Sequence, residues 1–480
     1  MSALEAAIRR PRELAAPRLA WLLAALVAAI FASPWVVLSP DARYSLAWGA
    51  QLARGHLPDI TDPQVSTDHP LPIAIGGLLS VLGARTAADV YAVLAVLSFF
   101  LLVYACFRLG RALAGTAAGV LAAVVLATRP RVDFFAAHSF VDVPFAALVL
   151  LATALAVEAR ENGRRVLWLL LLAGLLRPEA WGLTIAWGAW LLWTERREPK
   201  RTLGGIAALA IAAPVIWIGF DWIVAGDPLH AVHGTRQGAA FLERTRGVGN
   251  LGPTIASAVT AIVGWPLAAA GAVAGAWRLA WAWRAGDRET VRRVGLVLGL
   301  ALAGFAAFAA LAIADLPLND RYLLVPTLAL AVLWACSLGW LSARSGVVRA
   351  VPAGALALGL ASVLITAPID ARVTKDMLAA SHEKHAADAD LENLVARQEV
   401  RRAIDHCPHL IVAGSGRATS AALLGRDPVS IPIGRSAFPP FGTGSLATSD
   451  KVEPGFPGSV REGAWVWINR CHGLPGPAPG

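Results

Sequence analysis

The chain alternates between long apolar runs and short, arginine-rich polar breaks. Leu19 to Leu38, Val90 to Phe107, Thr202 to Trp217, Val294 to Ala314, Leu323 to Leu341 and Val347 to Ala367 are almost free of charge. Most of them approach the roughly 20 residues that an α-helix needs to cross a bilayer's hydrocarbon. Buried helices of soluble proteins seldom stay apolar for so long, so the pattern predicts an α-helical polytopic membrane protein with about 11 transmembrane helices. After Pro368 the composition turns to ordinary polar sequence through Gly480. The expected division is therefore a membrane domain over 1–368 and a small α/β domain over 369–480. In the latter, Asp388 to Ile404 reads as an amphipathic helix, His409 to Ala413 and Ala464 to Asn469 as strands, and Gly473 to Gly480 as a disordered end.

Charge then gives each break a side. With the N-terminus in the cytoplasm, the loops on that face carry 20 Lys+Arg against 8 Asp+Glu. The opposite loops, from Asp41 to Asp320, carry about 10 basic and 13 acidic residues, the asymmetry expected when positive loops stay inside. The basic N-terminal segment precedes a long apolar run without a small-residue cleavage site, so a retained first span is expected, not a signal peptide. An odd number of spans places the C-terminal domain outside the membrane. Val166 to Trp193 tests the scheme, because 28 residues join two basic loops that should share a face. Either two short helices meet at Arg177-Pro178-Glu179, a charged tip allowed only where protein or water surrounds it, or one long kinked helix reverses the later loops.

The formal net charge of +9 would suggest nucleic acid in a soluble protein. Here the basic residues sit beside spans, so membrane lipids are the expected partner and nucleic acid is not. Cys106 and Cys336 lie in apolar runs and no metal-binding cysteine spacing occurs. Gly414-Ser415-Gly416 after a strand is a fragment of a nucleotide loop, and a plain turn explains it better.

The stretch between the first two long runs, 41–70, reads as a first external loop and carries Asp41, Asp59, Asp62, Asp68 and His69. Its start, Asp41 to Trp48, has the apolar spacing of a helix lying along the interface. Thr67-Asp68-His69-Pro70-Leu71-Pro72 turns the chain back toward the bilayer. Here the sequence resembles the lipid-linked-sugar glycosyltransferases of the GT-C type, which include protein O-mannosyltransferases and the aminoarabinose transferase of lipid A. The likeness rests on Asp41 at the end of the first span and on Asp68-His69-Pro70. It continues through Asp142-Val143-Pro144 at the start of a span, Arg177 in the short helix pair, and Arg321-Tyr322 with Pro326. It spans the whole membrane region as short motifs and layout.

The resemblance implies an inverting glycosyltransferase of the bacterial cytoplasmic (inner) membrane. It would move a sugar from a polyprenyl-phosphate donor to a glycan, lipid or protein acceptor on the outer face. By that likeness Asp41 is the general base, and Asp68 orients the acceptor or joins Asp41 in holding a divalent cation such as Mg or Mn. Arg321, assisted by Arg177, binds the donor phosphate. His69, Tyr322, His230 and His233 contact substrate. An exported tail also permits a Cys407–Cys471 disulfide.

Plainer roles stand beside each of these. Asp41 could cap a helix, and Asp59 and Asp62 could be solvated loop charges. His69 could set the turn before Pro70, Arg177 could neutralise Glu179, and Arg321 could pair with Asp320 or Asp315. His230 and His233 could be loop histidines or, with Asp227, suit a metal. A transporter or flippase of a lipid-linked or small polar substrate is the competing function, suggested by the broken helix pair, although no repeat relates the two halves. A non-catalytic membrane scaffold is the third.

Overall fold

The computed structural model describes residues 22–65, 67–341, 349–407, 409–413, 416–434, 443–452 and 459–471. The basic N-terminal segment, the Arg344 end of the last loop expected on the cytoplasmic side, Gly414-Ser415 and the Gly473 to Gly480 end lie outside the described residues. In chain order the helices are α1 (Leu22–Trp35), α2 (Pro40–Ala53), α3 (Pro70–Leu79), α4 (Ala84–Ala114), α5 (Thr116–Leu126), α6 (Pro130–Ala137), α7 (Asp142–Glu158), α8 (Gly163–Gly174) and α9 (Glu179–Thr194). They continue with α10 (Lys200–Ala225), α11 (His230–Phe241), α12 (Leu251–Ile262), α13 (Trp265–Arg284), α14 (Arg288–Ile313), α15 (Leu324–Leu341), α16 (Ala350–Ala396), α17 (Gln398–His406) and α18 (Arg417–Leu424).

Among the described residues, five helices are long and apolar enough to cross a membrane, or up to eight if each of three sharply bent pairs counts as one span. The expected count of about 11 differs because α3, α5 and the α8–α9 pair are apolar but short. The first bent pair is informative: α1 turns by 107° into α2. Ser39 caps α2, its hydroxyl accepting from the Ala42 amide at 3.2 Å, and Pro40 opens the first turn, so Asp41 is not the capping residue.

Val166 to Trp193 forms two short helices. Trp187 Nε1 donates to the Gly163 carbonyl at 2.9 Å, Thr184 Oγ1 donates to Leu170 at 3.2 Å, and Arg164 lies 3.3 Å from Glu195. These contacts fold α9 back along α8 as an antiparallel hairpin, which rules out a single kinked helix. Pro178 forces the break: it lacks an N–H and disfavours helical backbone at Arg177. Arg177-Pro178-Glu179 is thus the tip.

The membrane domain packs around α15, whose side chains are buried on nearly every face from Leu324 to Trp340. Small residues let neighbours approach it. At Gly271 in α13 an added Cβ would stand 2.0 Å from the Leu330 carbonyl oxygen. Trp334 donates its indole N–H to Ala355 in α16 at 3.0 Å.

The helix that carries the last apolar run, α16, runs unbroken through Pro368 to Ala396. A proline removes one backbone donor and bends a helix without having to end it. The polar second half of α16 packs against a five-stranded sheet of β1 (His409–Ala413), β2 (Ile433–Gly434), β3 (Thr443–Thr448), β4 (Ser459–Glu462) and β5 (Trp465–Asn469). The order is β2-β1-β3-β5-β4; β1 is parallel to β2 and β3, and β3, β5 and β4 run antiparallel. Leu391, Leu394, Val400, Ile404, Val412, Leu446, Trp465 and Trp467 fill its core. Cys407 and Cys471 are joined as a disulfide, with Cα atoms 5.5 Å apart.

Gly271→Leu should drive a side chain into the α15 backbone. We expect a loss of about 3 kcal/mol, the upper range for overpacking, read as a lower thermal midpoint of the detergent-solubilised protein.

Candidate active site

Four separate segments bring charge to one place. The first turn of α2 carries Asp41, the first residue of α7 is Asp142, the α8–α9 tip carries Arg177 and Glu179, and the tight turn Asp320–Leu323 before α15 carries Arg321 and Tyr322. Arg321 Nη2 lies 3.5 Å from Asp41 Oδ2, and its Nε lies 3.3 Å from Asp142 Oδ2. The other Asp142 oxygen accepts from Arg177, and Arg177 Nε donates to Glu179 at 3.2 Å. Asp142 is only 1% exposed. It therefore joins two guanidinium groups in a medium that screens them poorly.

The expected partners of Arg321 are engaged elsewhere. Asp320 accepts from Arg131 at 2.6 Å, and Asp315 lies 3.1 Å from Arg246. Aromatic faces complete the arginine sites: Arg177 lies 3.8 Å from the centroid of Tyr322 and Arg321 4.4 Å from that of Phe140. The Arg321 Nε and Asp142 Oδ2 atoms are close as an ion pair but not aligned as a hydrogen bond.

Asp68 and His69 reach the same cavity from the turn before α3, where His69 occupies the capping position. Both are buried, and His69 stands edge-on to Trp217, with ring centroids 5.7 Å apart. Burial pushes the Asp68 carboxyl above its ordinary range. The same desolvation lowers the His69 pKa, and the charges of Arg177 and Arg321 add to it. Asp221, near the end of α10, accepts from the Ala231 amide at 2.9 Å.

His230 lines the cavity, with Nε2 donating to the Ile60 carbonyl at 2.9 Å. His233 does not line it; it is exposed and its Nδ1 pairs with Asp227 at 2.7 Å. The cavity, of about 160 Å³, thus gathers Asp41, Asp68, His69, Arg177, His230, Arg321 and Tyr322. Asp41 and Asp68 share it, but among the described residues no group of three or more His, Cys, Asp or Glu side chains converges on a metal position.

An apolar hollow of about 320 Å³ adjoins the cavity, sharing Glu179, Leu311 and Tyr322 with it. A third, of about 520 Å³, shares Leu183, Ala186 and Leu300 with the second and reaches Trp190 and Arg292. Together they follow α9 and α14 from the charged cluster to the opposite helix ends. Sequence reasoning left Asp142 and Asp221 out of the site. Each had a signal, being an acid at the start of, or inside, an apolar run.

The sequence matches no known protein family, and no curated protein matches it. Its fold does have counterparts. The chain aligns over 97% of its length with the whole of ArnT from Cupriavidus metallidurans in the apo state, with a TM-score of 0.51 and 13% identity. This chain shares the ArnT fold. ArnT bound to undecaprenyl phosphate gives a TM-score of 0.48 at 13% identity, covering 96% of this chain and 99% of that one. The Archaeoglobus fulgidus oligosaccharyltransferase tethered with an acceptor peptide gives 0.45 at 13% identity, covering 86% of this chain and 64% of that one. At such identities the likeness to ArnT concerns architecture, and the chemistry has to come from the cluster itself.

Asp142→Asn should leave Arg177 and Arg321 undercompensated in a buried position. A loss of about 3–5 kcal/mol is expected, measured as thermal or denaturant unfolding in detergent.

Proposed function

We propose that the protein is an inverting glycosyltransferase that moves a sugar from a polyprenyl-phosphate donor to an acceptor hydroxyl at the outer face of the membrane. The observation that carries this reading is the Asp41–Arg321–Asp142–Arg177 chain at the head of an apolar hollow. A lipid-borne phosphate needs fixed positive charge beside apolar space, and a hydroxyl nucleophile needs a carboxylate within reach. Both requirements meet here within one cavity.

In the proposed reaction Asp41 accepts the proton of the acceptor hydroxyl. The acceptor oxygen bonds to the anomeric carbon from the side opposite the leaving group. The bond from that carbon to the donor's phosphate oxygen breaks, and its electron pair leaves with the lipid phosphate, which gains one negative charge. Arg321 receives that charge with the donors it has not committed, and Arg177 supports it through Asp142. A single displacement inverts the anomeric configuration. Asp68, His69 and His230 line the opposite side of the cavity, where the acceptor enters. The hollows along α9 and α14 hold the prenyl tail, and the positive-inside bias supports an outer-face site.

The hairpin that suggested transport carries its charges in this same ion-paired cluster, which favours transfer over passage.

Incubating purified protein with polyprenyl-phosphate sugars and detecting product by mass spectrometry tests the reaction. Asp41→Asn should lower kcat by about 10²–10⁴-fold. Arg321→Ala should cost about 10²–10³-fold in kcat, and wild-type rates in both variants would remove these assignments. Gly182 and Gly299 line the hollows, and a Cβ at either meets no neighbour within 4 Å. Gly182→Leu and Gly299→Leu should therefore fill space without clashing. Each should raise KM about tenfold for a long prenyl donor, worth roughly 1.4 kcal/mol, and leave a short-chain donor unaffected.

A further inference from the structure

Ile60, Asp62, Pro63, Val65, Thr67 and Asp68 line one wall of the cavity, and neighbours hold this stretch on both sides. From the membrane domain, His230 donates to the Ile60 carbonyl at 2.9 Å, Thr67 and Thr235 hydroxyls meet at 2.9 Å, and Gly238 packs on the Pro63 carbonyl. From the C-terminal domain, Asp427 accepts the Asp59 amide at 3.1 Å. The strongest contact is Arg417, the first residue of α18. Its Nη2 donates to Asp62 Oδ2 at 2.7 Å and its Nε to the Pro428 carbonyl at 2.6 Å.

Arg417 is only 2% exposed. Surface ion pairs contribute little, but a guanidinium taken out of water requires its carboxylate partner. Asp62, in turn, rims the catalytic cavity and accepts the Gln64 amide at 2.8 Å, which shapes the turn toward Asp68. The joint is apolar as well as ionic. Tyr44, Trp48, Ile60 and Ile73 of the membrane domain cluster with Ala418 beside Arg417. Trp48 lies two turns along α2 from Asp41. Arg43, on the other face of α2, binds Asp388 and Thr419. Close packing of Gly416 under Trp465 aims the α18 N-terminus at this joint, since a Cβ there would stand 2.6 Å from the indole.

We infer that Arg417 is a positioning residue: through Asp62 it holds the wall over 59–65 in register with Asp41, so that the C-terminal domain forms part of the catalytic unit. The inference rests on the transferase reading for its kinetic consequence, but not for its structural one. Asp62 needs Arg417 to fix the wall that the acceptor passes, whereas the arginines that take the donor phosphate stand on other elements. Loss of the contact therefore acts on the acceptor side.

Hydrogen exchange and kinetics on the full-length protein in nanodiscs test this. In Arg417→Gln, exchange across residues 56–65 should rise at least about fivefold, with protection in β3 and β5 retained. KM for the acceptor should rise about tenfold with donor KM unchanged, and Arg417→Lys should recover part of the loss. Asp62→Asn should reproduce the effect, and the double variant should be no worse than either single one. Should Arg417→Gln unfold the domain, seen as lost protection in β3 and β5, Asp62→Asn carries the same test from the loop side. Unchanged exchange over 56–65 in Asp62→Asn, or equal shifts in donor and acceptor KM, would overturn the inference. Absence of transfer in the wild type would defeat the transferase reading alone, because the exchange result still decides whether Arg417 holds the loop.

Discussion

A carboxylate buried between two arginines governs how this molecule is assembled. Asp142, at 1% exposure, stands between Arg177 and Arg321, and charges taken out of water need such partners. The three residues come from the start of α7, the tip of the α8–α9 hairpin and the turn before α15. Satisfying the charges therefore fixes three helical segments relative to one another. Asp41 and Glu179 extend the chain at its two ends, giving three carboxylates and two guanidinium groups. The wall opposite adds Asp68 and Asp221.

The same constraint accounts for the hairpin. A charged Arg177-Pro178-Glu179 tip has no place in hydrocarbon, but α7, α9 and α15 surround it and provide its partners. Because α8 and α9 are short, the tip stops at the level of the cluster. The space left along α9 and α14 is apolar and lined in part by Gly182, Gly295, Gly299 and Gly304. The charged cluster thus adjoins the end of an apolar hollow.

Much of this was legible in the residues. Apolar run length identified α4, α10, α14, α15 and α16, and charge asymmetry favoured a hairpin over a kinked helix between Val166 and Trp193. Strands β1 and β5 matched their alternating or apolar patterns closely. Asp41, Asp68, His69, Arg177, His230, Arg321 and Tyr322 do line one cavity. What the residues did not show shares a cause. His233 sits three residues from His230, and only the direction of each ring separates a cavity-lining residue from an exposed one. A proline need not end a helix, and α16 continues past Pro368. Asp62 looked like a solvated loop charge until Arg417, 355 residues away in sequence, reached it.

The sequence by itself determined that the chain is built of membrane helices, which loops carry positive charge, and which polar residues sit beside apolar runs. Composition and periodicity are local, and the bilayer acts on each segment separately. Only the tertiary structure decided which carboxylate each arginine takes. Ion pairing depends on distances between segments up to hundreds of residues apart, and in a buried site the partner a charge finds determines what it can do.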